Sequence, residues 1–483
     1  MNLAAVQRIL GLMLMLFSTT MLPPACIAFL YGDGHWYPFL ASFAIVAALG
    51  VLLWLPVRRM SADLRLRDGF LVITVFWVFL GLAGATPLLI SDVPDLSVTD
   101  AVFEAVSGFT TTGATVITGL DALPKSILYY RQQIQWLGGM SIIVLAVALM
   151  PMLGIGGMSL AKADTPGPIK DQRLTPRITQ TARALWAVYL LLTVLCAGAY
   201  WLAGMDAFDA IGHAFTTIST GGYSPYDASL GHFDSVAVDV VATLFMFAGG
   251  VSFALHFSVM RRQDLRLYTR DTEFLAFFSL IAAIVAVASA YLWLEGEFPT
   301  LVESLRHTAF HVISTHTGTG YTTTGFAHWP GAMPALLILL TFIGGCAGST
   351  TGGMKVIRWL LVFRQGVAEL KRLVHPSAEI PVKLAGRPVP ERVIIGVAGF
   401  FAMYLVVFAV LMLMMMMLGL DQVTAWSAIA SAINNVGPGL GDVAVTFRDV
   451  PEGAKWISAI AMIAGRVEIF TILLLLTPAF WER

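Results

Sequence analysis

DAVFEAVSGFTTTG, residues 100–113, comes soon after the apolar run GFLVITVFWVFLGLAGATPLLI (69–90). It is too polar to cross a bilayer and too apolar for a surface loop. Three further stretches align with it without gaps: DAIGHAFTTISTGG (209–222), HTAFHVISTHTGTG (307–320) and TAWSAIASAINNVG (424–437). Each block closes on a glycine (Gly113, Gly222, Gly320, Gly437). Its eighth position always carries a hydroxyl: Ser107, Thr216, Ser314 and Ser431. Each block lies between two apolar runs. The chain therefore reads as four copies of span, short helix, polar loop and span. Internal repeats of this kind commonly build a site on a pseudo-symmetry axis.

Composition agrees with a polytopic, all-α membrane protein. Soluble domains carry about 25% charged residues; here 12% of 483 are charged and 57% are hydrophobic. Runs of about 20 apolar residues mark membrane spans. Ten are expected: 9–31, 37–57, 69–91, 133–154, 184–204, 236–260, 274–294, 334–362, 394–418 and 455–478. The first run lacks a basic cluster ahead of it and a convincing small-residue cleavage site, so it reads as a retained span. The expected units are a hairpin over 1–60 and four pore repeats over 61–160, 161–263, 264–385 and 386–483. One side of the alternation holds 23 Lys and Arg. The other holds five (Lys125, Arg131, Arg306, Arg448 and Lys455), and Arg466 lies inside the last run. Cytoplasmic loops carry the positive excess, which puts both termini in the cytoplasm. A net charge of −1 gives no electrostatic case for nucleic acid. Cys26 and Cys196 fall in apolar runs and read as small buried hydrophobes. No GxxxxGK[ST] phosphate loop is present.

A re-entrant helix of about ten residues reaches roughly 15 Å, near the middle of a ~30 Å hydrocarbon core. Its inward C-terminal end carries partial negative charge. Glycine lets the returning carbonyls face an axis that a Cβ would crowd. Four such loops offer a ring of uncharged oxygens, which suits a weakly hydrated monovalent cation. A divalent site would recruit carboxylates, and the four loop ends have none. Asp100 and Asp209, which open their blocks, read as N-caps, with attraction of cations to the outer mouth as the second reading.

The eighth run is interrupted by Gly344, Gly345, Cys346, Ala347, Gly348, Ser349, Thr350, Thr351, Gly352 and Gly353. Each glycine costs about 1 kcal/mol in a helix relative to alanine. The stretch reads as a kink packed on its neighbours or as a polar intramembrane loop that blocks a pore and must move. Arg466 and Glu468 are charges within a span, where charges face the bundle interior or a cavity. Arg466 reads as facing the pore or as a counter-ion to a buried carboxylate. Glu468 is expected to pair with Lys355 or Arg358.

FEAVSGFTTTGAT, YRQQIQWLGGMSIIVLA, AGMDAFDAIGHAFTTISTGG, FIGGCAGSTTGGMKVIR, NNVGPGLG and TPAFWER occur in this order. With them the chain resembles the Trk/Ktr/HKT superfamily of potassium transporters, and within it the bacterial Trk-type membrane subunit. The resemblance implies potassium uptake across the bacterial inner membrane through a gated, channel-like pore. It implies a selectivity filter of Thr111, Thr112, Gly113, Thr220, Gly221, Gly222, Gly318, Thr319, Gly320, Asn435, Val436 and Gly437. It also implies a gate made of residues 344–353 and Arg466, a homodimer, and a cytosolic TrkA-type regulator that binds NAD or ATP. Potassium is then cargo, with no cofactor bound by this chain and no enzymatic activity. The basic loops 162–183 and 364–392 would dock the regulator. The third loop departs from a plain Ser/Thr run with His316 and Gly318. His316 would pack behind the filter or tune conduction by protonation. A Na⁺- or H⁺-coupled alternating-access transporter is the alternative function. A membrane enzyme is a third, because Glu104, His213 and His311 share one block position and would mimic a metal site if they converged.

Overall fold

The computed structural model describes residues 2–60, 66–153 and 174–482. The expected boundaries at 60/61 and 160/161, and most of the loop 162–183, involve positions outside the described residues. Apart from a small antiparallel hairpin of β1 (Lys383–Leu384) and β2 (Arg387–Pro388), regular structure among the described residues is helical.

The N-terminal hairpin pairs α1 (Leu3–Ser18) and α2 (Leu22–Tyr31) with α3 (Trp36–Trp54). The double proline Pro23–Pro24 falls in the first turn of α2, where a missing N–H is tolerated. Gly11 and Gly50 let α1 and α3 cross closely: a Cβ on Gly11 would lie 2.8 Å from the Gly50 carbonyl oxygen.

The rest of the chain follows a recurring order of a long helix, a short helix and an inner helix. The first set is α4 (Leu66–Ile90), α5 (Val98–Phe109) and α6 (Lys125–Leu153). The second is α7 (Leu174–Leu202), α8 (Ala207–Ile218), and α9 (Val236–Gly250) with α10 (Phe253–Arg262). A short α11 (Arg266–Arg270) leads to α12 (Thr272–Leu294), α13 (Leu301–His316), α14 (Met333–Thr341) and α15 (Val356–Val374). Last come α16 (Glu391–Met417), α17 (Gln422–Asn434), α18 (Glu452–Arg466) and α19 (Ile469–Leu476). Each short helix packs on the long helix before it.

Burial is arranged for a lipid surround. The long helices expose large apolar side chains, such as Val194, Leu195 and Leu202 on α7 and Leu405, Val410 and Leu413 on α16. The short helices, with their Ser, Thr and His, are nearly wholly buried.

The short helices start on Ser97, Asp206, Thr300 and Asp421, whose side chains accept the N–H of Asp100, Asp209, Glu303 and Thr424. This corrects the expectation for Asp100 and Asp209, which sit one turn inside the helix rather than at its cap. An acidic residue in the first turn still favours the positive end of the helix dipole. Both positions suit Asp, so the sequence alone does not separate them.

Among the described residues, six helices are long and apolar enough to cross a membrane by length and composition, or eight if two bent pairs each count as one. The expected spans 236–260 and 455–478 are not straight: α9 and α10 meet at 96°, and α18 and α19 at 107°. The stretch 334–362 is divided between α14 and α15 by residues 342–355. The breaks fall at Val251 and Ser252, at Val467 and Glu468, and in the glycine-rich segment 342–355, and an apolar window is blind to all three.

Candidate ion pathway

The four blocks end in one shared backbone turn. The N–H at the thirteenth position bonds the carbonyl at the eighth: Thr112 to Ser107, Gly221 to Thr216 and Thr319 to Ser314 at 2.8 Å, and Val436 to Ser431 at 3.0 Å. The twelfth position is left-handed in all four, with φ of 50° at Thr111, 52° at Thr220, 73° at Gly318 and 55° at Asn435. Side chains seldom adopt this region, and glycine does so freely. Gly318, the departure noted in the third loop, thus stands at a position where glycine relieves strain. The closing glycines have φ of 82°, 77°, 78° and 102°.

These turns meet. A Cβ on Gly113 would lie 2.1 Å from the Gly221 oxygen, one on Gly222 1.8 Å from that of Thr319, and one on Gly320 1.9 Å from that of Val436. A Cβ on Gly437 would lie 2.9 Å from the Thr112 oxygen, which closes the circle. Each block's last glycine therefore abuts the carbonyl before the last glycine of the next block. All twelve residues expected to form the oxygen ring lie in these four turns. The four closing glycines line one cavity of about 370 Å³.

Below the turns lies the broken segment 342–355. Gly352 abuts the Asn434 carbonyl so tightly that a Cβ would come within 1.8 Å. Thr350 Oγ1 donates to the carbonyls of Ile218 at 3.1 Å and Gly249 at 3.2 Å. The Cys346 N–H bonds the Gly250 carbonyl at 2.9 Å, and its thiol is buried and free. One carboxylate oxygen ties the inside of the break to the start of α15: Glu273 Oε1 accepts the N–H of Ala347 at 2.7 Å and of Ile357 at 3.2 Å. Lys355 Nζ donates to the Thr351 carbonyl. Arg466 forms no ion pair among the described residues. Its Nη2 donates instead to Thr111 Oγ1 and to the Thr350 carbonyl, at 2.5 and 2.9 Å. The counter-ion reading of Arg466 is thereby set aside. Glu468 pairs with Arg358 at 2.7 Å, the second of its two expected partners.

A family model described as TrkH, cation transport protein, matches residues 36–483. The chain is 50% identical over 483 residues to the Trk system potassium uptake protein TrkH of Halomonas elongata, and 48% identical to that of Escherichia coli K12, with all of each chain covered. It belongs to the TrkH family. It is also similar to the crystal structure of the potassium transporter TrkH from Vibrio parahaemolyticus, with a TM-score of 0.94, 49% identity and full coverage of both chains.

Behind the ring, this TrkH-family chain ties each short helix to its own outgoing loop. Glu104 accepts from Thr115 Oγ1 and the Val116 N–H, both at 3.0 Å, and pairs with the buried Arg131 at 2.8 Å. His213 Nε2 meets Ser224 Oγ at 3.1 Å, and His311 Nε2 meets Thr324 Oγ1 at 3.2 Å. In the fourth block the neighbouring position does this work: Ser427 Oγ accepts the Leu440 N–H at 2.8 Å. Glu104, His213 and His311 thus turn to separate loops and do not converge. Among the described residues no group of three His, Cys, Asp or Glu could hold a metal. His316 is buried and stacked on Phe277, with ring centroids 5.3 Å apart, behind the third turn.

One feature of the TrkH-family core escapes the block alignment. Gly138, Gly249 and Gly465 on the inner helices approach the carbonyls of Phe109, Ile218 and Ile433, the tenth position of their blocks, with Cβ distances of 2.0, 3.3 and 1.9 Å. The signal is present in the sequence as WLGG (136–139), FAGG (247–250), FIGG (342–345) and IAGR (463–466). Glu273 has no comparable signal.

Proposed function

We propose that the chain carries potassium across the bacterial inner membrane through a gated, channel-like pore. Ten spans and four pseudo-equivalent units surround one axis, with both termini cytoplasmic. The observation that carries this reading is the closed circle of four turns, in which uncharged carbonyls of Thr112, Gly221, Thr319 and Val436 adjoin the glycine of the preceding block. The relatives' names, Trk system potassium uptake proteins, support potassium as the cargo. A ring of neutral oxygens replaces the hydration shell of a large monovalent ion. No bound cofactor is needed for that.

Residues 344–353 and Arg466 act as the gate beneath the ring, holding a fixed positive charge and a buried loop on the ion's path. Inward movement of one charge gains about 2.3 kcal/mol per 100 mV, which sustains roughly 50-fold accumulation. Flux must therefore be controlled rather than driven, and a nucleotide-binding cytosolic subunit of TrkA type and a second copy of this chain complete the transporter. Membership of a named Trk system among the relatives supports such an assembly.

The test is uptake of K⁺ and Rb⁺ in cells lacking other potassium systems, with Gly113, Gly222, Gly320 and Gly437 each replaced by Ser. Altered K⁺/Na⁺ discrimination is expected. Unaltered discrimination in all four variants would remove the ring from the ion path.

A further inference from the structure

Gln135 on α6 is fully buried. Its Nε2 donates to the Gly221 carbonyl at 2.7 Å, and its Oε1 accepts the Tyr223 N–H at 3.0 Å. One amide thus brackets Gly222 from both sides. The Gly221 carbonyl is also the one that Gly113 abuts, so Gln135 reaches the ring at the seam between the first and second blocks.

The same helix face stiffens that seam. Arg131, one turn earlier, bonds the Ser224 carbonyl at 3.3 Å and lies 4.2 Å over the Tyr223 ring. The Tyr223 hydroxyl donates back to the carbonyls of Glu104 at 3.0 Å and Ala114 at 3.1 Å. At the other three seams, among the described residues, no protein group donates to the carbonyls of Thr112, Thr319 or Val436. The ring is therefore chemically unequal. Three carbonyls keep both lone pairs for an ion, and the fourth shares one with an amide. Discrimination by such a ring depends on its size and on the number and field strength of its dipoles. A bonded carbonyl is a weaker and less mobile ligand than a free one.

We propose that Gln135 is a specificity-determining residue of the pore, fixing and weakening one of four ring carbonyls so that the ring favours potassium over the smaller, more strongly hydrated sodium ion. The proposal rests on the ion-path reading given above.

Uptake of K⁺, Rb⁺ and Na⁺ per molecule in the membrane is to be compared for the wild type, Gln135→Met, Gln135→Leu and a Gly222→Ser control, in potassium-uptake-deficient cells. Both Gln135 variants lose the donor to Gly221 without adding a charge. The two differ in length and shape, so Gln135→Leu reads the effect even if Gln135→Met fails to accumulate. The expected result is a fall in K⁺/Na⁺ discrimination of about fivefold, the size of one net hydrogen bond, with potassium flux retained. An unchanged ratio in the Gln135 variants beside a changed ratio in Gly222→Ser would overturn the proposal and leave Gln135 as packing, as would lower abundance with an unchanged ratio. An unchanged ratio in Gly222→Ser as well would remove the ion-path reading itself, and the proposal with it.

Discussion

Arg466 bolts the ring to the broken segment through Thr350: its Nη2 donates to the Thr350 carbonyl at 2.9 Å while also bonding Thr111 Oγ1. Thr111 is the left-handed residue of the first turn, and Thr350 lies in the break between α14 and α15. One guanidinium therefore links ring, broken segment and inner helix. Hydrogen bonds from a charged group contribute about 1.5–3 kcal/mol each. Arg466→Ala should raise resting K⁺ flux roughly 10- to 100-fold, and Arg466→Lys, which lacks the planar fork, by less. Resting ⁸⁶Rb⁺ uptake measures this; flux at the wild-type level in both variants would count against the bolt.

Glu273 holds the same segment at other points, through the N–H groups of Ala347 and Ile357. Glu273→Ala leaves two donors without this acceptor and unties the break from the start of α15. Resting flux should rise about tenfold, towards that of a chain lacking Gly345–Gly353. If the deletion opens the pore and Glu273→Ala does not, the carboxylate only supports the fold. If neither changes flux, the segment is not the gate.

The four closing glycines should not be equally sensitive. Added Cβ atoms at Gly222 and Gly320 would overlap carbonyls at 1.8 and 1.9 Å, and at Gly113 at 2.1 Å; at Gly437 the distance is 2.9 Å. Gly→Ala should therefore reduce K⁺ uptake most at positions 222 and 320 and least at 437, on top of about 1 kcal/mol of left-handed strain at each. Uptake kinetics per molecule give the order. Equal losses, or the largest at 437, would contradict the circle of contacts.

Glu104→Gln strands the buried Arg131 charge. Breaking a buried pair from one side costs about 3–5 kcal/mol, so membrane abundance and thermal stability should fall. Glu104→Gln with Arg131→Met should recover most of the loss. Arg131 also lines the outer cavity, so its unpaired charge should slow uptake more at low ionic strength than at high. Thermal unfolding in detergent and uptake at two salt concentrations provide the two readouts. A double variant no better than Glu104→Gln would show that the pair does not act as a unit.

The blocks were legible because their chemistry is local. Hydroxyl and glycine positions set a turn that each copy closes with its own Ser or Thr carbonyl, so spacing alone aligns Gly113, Gly222, Gly320 and Gly437. The same logic shows why Gly318 is not an irregularity. What the sequence hides is long-range. Asp100 and Asp209 could cap or follow a cap, since either placement meets the helix dipole. The bends after Gly250 and Arg466 lie within runs that an apolar window scores as continuous. Glu273 is an ordinary first-turn acid of α12 until the fold carries Ala347 and Ile357 to it. His316 has its surroundings decided by Phe277, on the helix before it.

The most direct measurement is anomalous scattering from crystals of the protein grown or soaked in Rb⁺. The account predicts an ion on the axis encircled by the carbonyl oxygens of Thr112, Gly221, Thr319 and Val436, above Thr350 and Arg466. Ordered Rb⁺ held by carboxylates away from the four turns, with none inside their circle, would contradict it.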